Sequence, residues 1–234
     1  LRLPSQRTIP IFFHRTICGL LGVRIHLIGN FVPGPALIVS NHVSWLDICV
    51  ITATVPVVFV AKHEVSTWPI FGLLARLQRS VFIDRSRRSA TVAANRTIGE
   101  RLAEGDRVVL FAEGTSSDGN RVLPFRSSLI AAVEKAAGKT AQSDIAIQPA
   151  AIAYTAGNGV PLGRRHRPRV AWYGDLDLLP HLAAIIRRGA IDVVVSAGEP
   201  IRAAAVLDRK ATARDLEGQV RQLMVAALHG AEVG

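Results

Sequence analysis

A succession of short, mostly apolar runs separated by amphipathic segments sets the limits on how this chain folds. The runs are Ala36–Ser40, Val57–Ala61, Val81–Ile83, Val108–Ala112, Ile145–Tyr154 and Ile191–Ser196. Runs of this length without strict alternation suit strands covered on both faces, the situation of a parallel sheet. Between them the patterning predicts helices from a Ser44 N-cap to Ala53, over Pro69–Leu77, over Ala90–Glu104 with Gly105 as terminator, and over Ser127–Ala137, Leu179–Arg188 and Thr212–Leu228. A further strand is expected at Arg169–Tyr173. The alternation predicts a single α/β domain whose mostly parallel or mixed central sheet is covered by helices. With 234 residues the chain can bury one large core without staples. No repeat and no dividing linker interrupts it.

Charge narrows the choice of partners. Lys and Arg number 28 against 18 Asp and Glu, a net +10, and the excess is greater in the first hundred residues, with eleven basic against four acidic. Such a surface attracts polyanions, either nucleic acid or an anionic membrane. Aromatic residues are only 6%, without the interleaving that stacks bases. The basic run Arg164–Arg167 sits between Pro161 and Pro168 and opens no recognition helix, so nucleic acid is not the expected partner. Two cysteines, Cys18 and Cys49, cannot form a disulfide framework and read as small buried hydrophobes. The stretch Ile9–Ile28 is broken by His14, Arg15, Arg24 and His26, and falls short of the roughly 18 apolar residues of a membrane span. It reads as a basic amphipathic helix running into a strand, packed on the core or lying on a membrane surface.

In open α/β sheets, ligands bind beyond the carboxyl ends of strands. The first run is followed by Asn41-His42-Val43-Ser44-Trp45-Leu46-Asp47, the third by Asp84-Arg85, and the fourth by Glu113-Gly114-Thr115-Ser116-Ser117-Asp118-Gly119. On one helix, residues five apart point about 140° away from each other. His42 and Asp47 therefore meet only if His42 lies in the loop and Asp47 in the first helical turn, where a carboxylate also suits the helix dipole. There the carboxylate would fix the imidazole tautomer and make His42 a general base. Asp84-Arg85 opens a basic patch suited to a phosphate or carboxylate, and Gly114 allows close approach of backbone N–H groups to a ligand. Each piece alone also fits a blander reading: a capped helix with a surface histidine, a solvated helix entry, an ordinary turn. Other enzyme classes lack their signatures. Gly-x-Ser-x-Gly and His-Glu-x-x-His are absent, and Gly157-Asn158-Gly159 does not open a helix as a dinucleotide fingerprint would.

The four blocks together resemble the lysophospholipid acyltransferase family. The resemblance rests on Asn41-His42 to Asp47, then Lys62-x-Glu64 and Phe82-Ile83-Asp84-Arg85, then Phe111-Ala112-Glu113-Gly114-Thr115-Ser116-Ser117, and last Ile147-Gln148-Pro149-Ala150, in order over about residues 36–155. It implies an acyltransferase α/β domain over 31–234, preceded by an amphipathic helical segment and lead-in strand over 1–30. It implies His42 as base and Asp47 as its holder, with Asn41, Lys62, Arg85, Glu113, Gly114, Thr115 and Ser117 binding substrate. Backbone donors near Gly114 or the His42 turn would serve the oxyanion. It implies no metal and no cofactor, only an acyl carrier protein or coenzyme A thioester as co-substrate. The acceptor implied is a membrane lysolipid, 1-acylglycerol-3-phosphate in the first place and lyso-ornithine lipid as the alternative. The enzyme would work at an anionic membrane surface on the cytoplasmic face, peripheral or anchored by a segment absent from this chain. Two positions depart from the pattern. Ala112 replaces a Pro, and Ser116 replaces the Arg expected to hold the acceptor's phosphate, leaving Arg85, Arg121 or Arg126 to supply that charge. The wording from Glu113 to Asn120, with Leu123–Ser127, looks like a bacterial branch that includes lyso-ornithine lipid acyltransferases.

Overall fold

The computed structural model describes residues 5–67, 71–83, 88–127, 145–202 and 208–230. Within them the chain runs α1 (Ser5–Leu20), β1 (Val23–Ile28), β2 (Ala36–Ser40), α2 (Leu46–Thr54), β3 (Val58–Lys62), α3 (Phe71–Leu77), β4 (Val81–Ile83), α4 (Arg88–Ala103), β5 (Arg107–Phe111), β6 (Ala146–Gly157), β7 (Val160–Pro161), α5 (Leu178–Arg188), β8 (Ile191–Ala197), β9 (Ile201–Arg202) and α6 (Arg209–His229). The strands form one sheet in the order β1-β8-β6-β2-β5-β3-β4, with β7 and β9 added on β6.

The sheet is mixed. From β6 to β4 each neighbouring pair is parallel, while β8 runs antiparallel to β6 and carries β1 in parallel at the edge. The apolar runs become strands because both faces are covered. On β2, Ile38 packs with residues of α1, α2 and α5, whereas Leu37 and Val39 point to the opposite face, against α4 and α6. All five residues of β2 are buried, which explains a sequence without polar alternation. Gly105 takes φ +82 where α4 stops, a backbone angle that glycine adopts at no steric cost. Asp208 caps α6 by accepting from the N–H groups of Lys210 and Ala211.

Two expectations need correction. Arg169–Tyr173 is not a strand. A 3₁₀ turn spans Arg167–Arg169, Pro168 lacks the N–H a ladder needs, and Val170 and Ala171 are wholly buried under the loop that follows β2. Trp172 N–H donates to Val43 O at 2.9 Å, so this segment closes over the site rather than joining the sheet. Nor is Ser44 the cap of α2. Its hydroxyl has no hydrogen-bond partner, and Trp45 holds the cap position. The helix expected at Ser127–Ala137 falls, apart from its first residue, outside the described residues, as does Asp84-Arg85.

Candidate active site

Strand register assembles the site. β2 and β5 are parallel neighbours with Ser40 beside Phe111, and β2 and β6 are paired with Ser40 beside Ala150. The chain leaving β2 therefore emerges next to the chain leaving β5, with β6 continuing alongside. Asn41, fully buried, acts as one more rung of that ladder. Its amide nitrogen donates to Ile152 O at 3.0 Å and its oxygen accepts from Ile152 N–H at 2.9 Å. Sequence reading places Asn41 on the substrate; with both ends of its amide occupied inside the protein, it holds the loop instead.

The next residue, His42, keeps 18% of its side chain exposed, while the Asp47 side chain is at 0%. His42 Nδ1 lies 2.8 Å from Asp47 Oδ2. That oxygen also accepts from the backbone N–H groups of Val43 at 2.7 Å and Ser44 at 3.0 Å. Asp47 Oδ1 accepts from the Tyr154 hydroxyl at 2.7 Å. A buried carboxylate with four donors is well satisfied without a metal or a second cation. Nδ1 being engaged, Nε2 is the imidazole nitrogen left to face a substrate. The ring stacks on Phe111, with centroids 4.0 Å apart and planes 11° apart.

The loop after β5 closes the other side. Glu113 is 3% exposed, and its Oε1 accepts weakly from His42 N–H at 3.4 Å. Its Oε2 has no hydrogen-bond partner. Burial pushes its carboxyl up to about 8; backbone hydrogen bonds from His42 and Leu123 oppose that, and the negative charges of Asp47 and Glu217 add to it. Gly114 sits at φ +76, a backbone angle that favours glycine, and the Arg126 guanidinium lies directly over it, where a Cβ would come 2.8 Å from Nε. The Gly114 N–H, an expected oxyanion donor, closes the turn on Phe111 O at 3.1 Å. Ser117 is buried, its N–H donating to His42 O at 2.8 Å and its hydroxyl accepting from Gly119 N–H. It fastens the loop to His42. Thr115 is exposed. Ser116 donates its hydroxyl to Trp172 O at 2.5 Å. Lys62 ends β3, paired with Ile83.

Two residues that sequence reading did not select thus touch the dyad: Phe111 and Tyr154. Phe111 stood inside a quoted motif. Tyr154 had no signal, lying 107 residues from Asp47 in an apolar run, and only the β2–β6 register reveals it. Among the described residues no group of His, Cys, Asp or Glu could hold a metal ion.

A covered α/β sheet that sets a buried Asp against a partly exposed His beyond a central strand defines an α/β protein whose imidazole can take up a proton from a neighbouring group. The family model described as Acyltransferase matches residues 22–153, and the chain belongs to that family. It is 51% identical to the lyso-ornithine lipid O-acyltransferase of Brucella abortus, over 97% of this chain and 86% of that protein, and 44% identical to that of Rhizobium meliloti, over 98% and 79%. A 1-acyl-sn-glycerol-3-phosphate acyltransferase of Neisseria gonorrhoeae is 37% identical over 46% of this chain and 42% of its own. The fold is shared with the crystal structure of the 1-acyl-sn-glycerophosphate acyltransferase of Thermotoga maritima, with TM-score 0.66 and 20% identity, over 94% of this chain and 78% of that one.

Proposed function

We propose that this acyltransferase moves a fatty acyl group from a thioester to the hydroxyl of a lysolipid, and that lyso-ornithine lipid is its acceptor. The observation that carries the chemistry is the His42–Asp47 pair. Nε2 takes the proton of the acceptor hydroxyl as its oxygen attacks the thioester carbonyl, and the imidazolium is stabilised by Asp47. When the tetrahedral intermediate collapses, the C–S bond breaks and Nε2 returns the proton to the departing thiolate. Proton and electron pair balance, with no acyl-enzyme.

For the acceptor, Ser116 is the deciding position. It carries no charge and its hydroxyl is spent on Trp172 O, so this residue offers nothing to a phosphate. An ornithine headgroup bears a carboxylate and an ammonium. Arg126, lying over Gly114, is a forked donor for the first, and the unpartnered Oε2 of Glu113 is an acceptor for the second. The relatives that align over nearly the whole chain bear the same acceptor in their names, whereas the glycerol-phosphate relative aligns over less than half. This reverses the order in which the sequence blocks alone ranked the two lipids.

The donor is an acyl thioester of acyl carrier protein or coenzyme A, either drawn to the net positive chain. The enzyme works at the surface of an anionic bilayer, held there peripherally or by a segment outside this chain. Among the described residues no helix is long and apolar enough to cross a membrane. α1 packs one face on α2, with Arg15 donating to Ala53 O, and leaves Ile9, Phe12, Phe13 and Leu20 exposed on the other.

The test is acyl transfer by the purified protein, with carrier-protein and coenzyme A thioesters, offered lyso-ornithine lipid and lysophosphatidate side by side. Transfer to lyso-ornithine lipid that disappears in His42→Ala supports the reading. Preference for lysophosphatidate overturns the acceptor, and an active His42→Ala protein overturns the mechanism.

A further inference from the structure

Three of the four donors to Asp47 belong to its own turn: His42 Nδ1 and the N–H groups of Val43 and Ser44, all on Oδ2. A carboxylate held at one oxygen can still pivot about it. The contact at Oδ1 comes from elsewhere in the fold, from the Tyr154 hydroxyl on β6. Two residues earlier on the same strand, Ile152 holds Asn41 through both its backbone groups. One strand thus grips the catalytic loop at both ends, at Asn41 through its main chain and at Asp47 through a side chain.

We propose that Tyr154 is a positioning residue of the reaction: its hydroxyl bond to Asp47 Oδ1 fixes the plane of the carboxylate, so that Oδ2 meets His42 Nδ1 head-on while Nε2 remains aimed at the substrate. Tyr154 touches no substrate atom and acts through Asp47. Its surroundings suit that role. The phenol is 3% exposed, and burial followed by the adjacent Asp47 charge pushes its ionisation well above the ordinary range, so it serves Asp47 only as a donor. The ionisable groups around this corner are His42, Glu113 beyond β5, Cys49 on α2 and Cys18 on α1, with burial pushing Cys18 up to about 11 and Cys49 higher still. Neither thiol competes for the carboxylate.

The proposal rests on His42 being the base, and the experiment separates the two. In Tyr154→Phe, kcat falls about ten-fold, on the scale of one hydrogen bond to a charged group. KM for thioester and for acceptor stays within about two-fold, as expected when uniform binding is intact. The downfield proton resonance of His42 Nδ1–H, assigned by its loss in His42→Ala, shifts in Tyr154→Phe whether or not the protein acylates anything. In an Asp47→Asn background the Tyr154→Phe change adds no further loss. Since the chain has two tyrosines, fluorotyrosine incorporated in a Tyr173→Phe protein labels position 154 alone. The stronger donor moves that resonance opposite to Tyr154→Phe, which keeps the test alive if the phenylalanine variant does not fold. An unmoved resonance, a loss carried by KM, or the same loss repeated in the Asp47→Asn background overturns the proposal. An active His42→Ala protein overturns the base assignment and leaves the hydrogen-bond measurement standing.

Discussion

Two buried carboxylates stand at the ends of neighbouring strands, and they are treated oppositely. Asp47, beyond β2, takes four hydrogen bonds and leaves no lone pair idle on the side of His42. Glu113, beyond β5, is almost as buried but is served only by the backbone of His42 and Leu123, with no side-chain donor, and its Oε2 has no close hydrogen-bond partner. Satisfaction makes Asp47 a fixed carboxylate held against the His42 imidazole. Sparse donors leave the Glu113 carboxyl raised to about 8 by burial, the kind of perturbed group that marks a candidate binding position. The same residue class in the same layer of the molecule thus divides into machinery and receptacle, according to how many N–H and O–H groups the fold aims at each.

The sharpest way to break this contrast is Asp47→Asn. An amide in place of the orienting carboxylate disrupts the His42 tautomer, and kcat should fall on the order of 10³–10⁴-fold, as for comparable triad carboxylates. A loss of less than about ten-fold, measured in the acyl-transfer assay, would mean that Asp47 is structural.

Glu113→Gln tests the other pole. A carboxyl raised from 4.5 to about 8 is favoured in its protonated form by the folded state, so its contribution is intact below 4.5 and is lost as pH rises through about 8. A shift of this size amounts to several kcal/mol at about 1.4 per pH unit. Denaturant melts between pH 5 and 8 should show the parent losing stability with rising pH and Glu113→Gln losing much less. The same variant should raise the acceptor KM roughly ten-fold, the scale of one lost charged hydrogen bond, with less effect on kcat.

Phe111→Leu removes the ring beneath His42 without touching either carboxylate. With an aromatic pair contributing about 0.5–1.5 kcal/mol, kcat should drop roughly two- to ten-fold, and an unchanged kcat would show the stack to be incidental. The smallest effect belongs to Ser116→Ala. Losing one hydrogen bond to Trp172 O costs about 1 kcal/mol of stability. Transfer to lyso-ornithine lipid should stay within about two-fold, since the side chain bears no headgroup charge; a larger loss would place Ser116 on the acceptor.

Much of this was legible in the chain. The apolar runs became strands because each is covered on both faces, and His42 and Asp47 met because the spacing leaves one residue in the loop and the other in the first turn. What was not legible depends on contacts between distant segments. Arg169–Tyr173 read as a strand because burial, not pairing, is what its apolar centre records; Val170 and Ala171 are buried in a loop tied to Val43. Ser44 looked like a cap because serine usually is one, yet the Asp47 carboxylate took the nearby N–H groups first. Asn41 and Ser117 sit within motif blocks but turn their polar groups inward, to Ile152, His42 and Gly119. No local pattern distinguishes such a brace from a ligand contact, nor could any have chosen Tyr154.

The pairing of Ser40 with Phe111 has a consequence for how such an enzyme diversifies. The reactive pair is specified by where two central strands stop, a property shared by the whole sheet and intolerant of slippage by one residue. The segment from Thr115 to Arg126 lies beyond the paired strands and is tied back to the base at one point, where Ser117 N–H donates to His42 O. An exchange of this segment that keeps Ser117 can therefore change what stands beside His42 while leaving the His42–Asp47 pair in place.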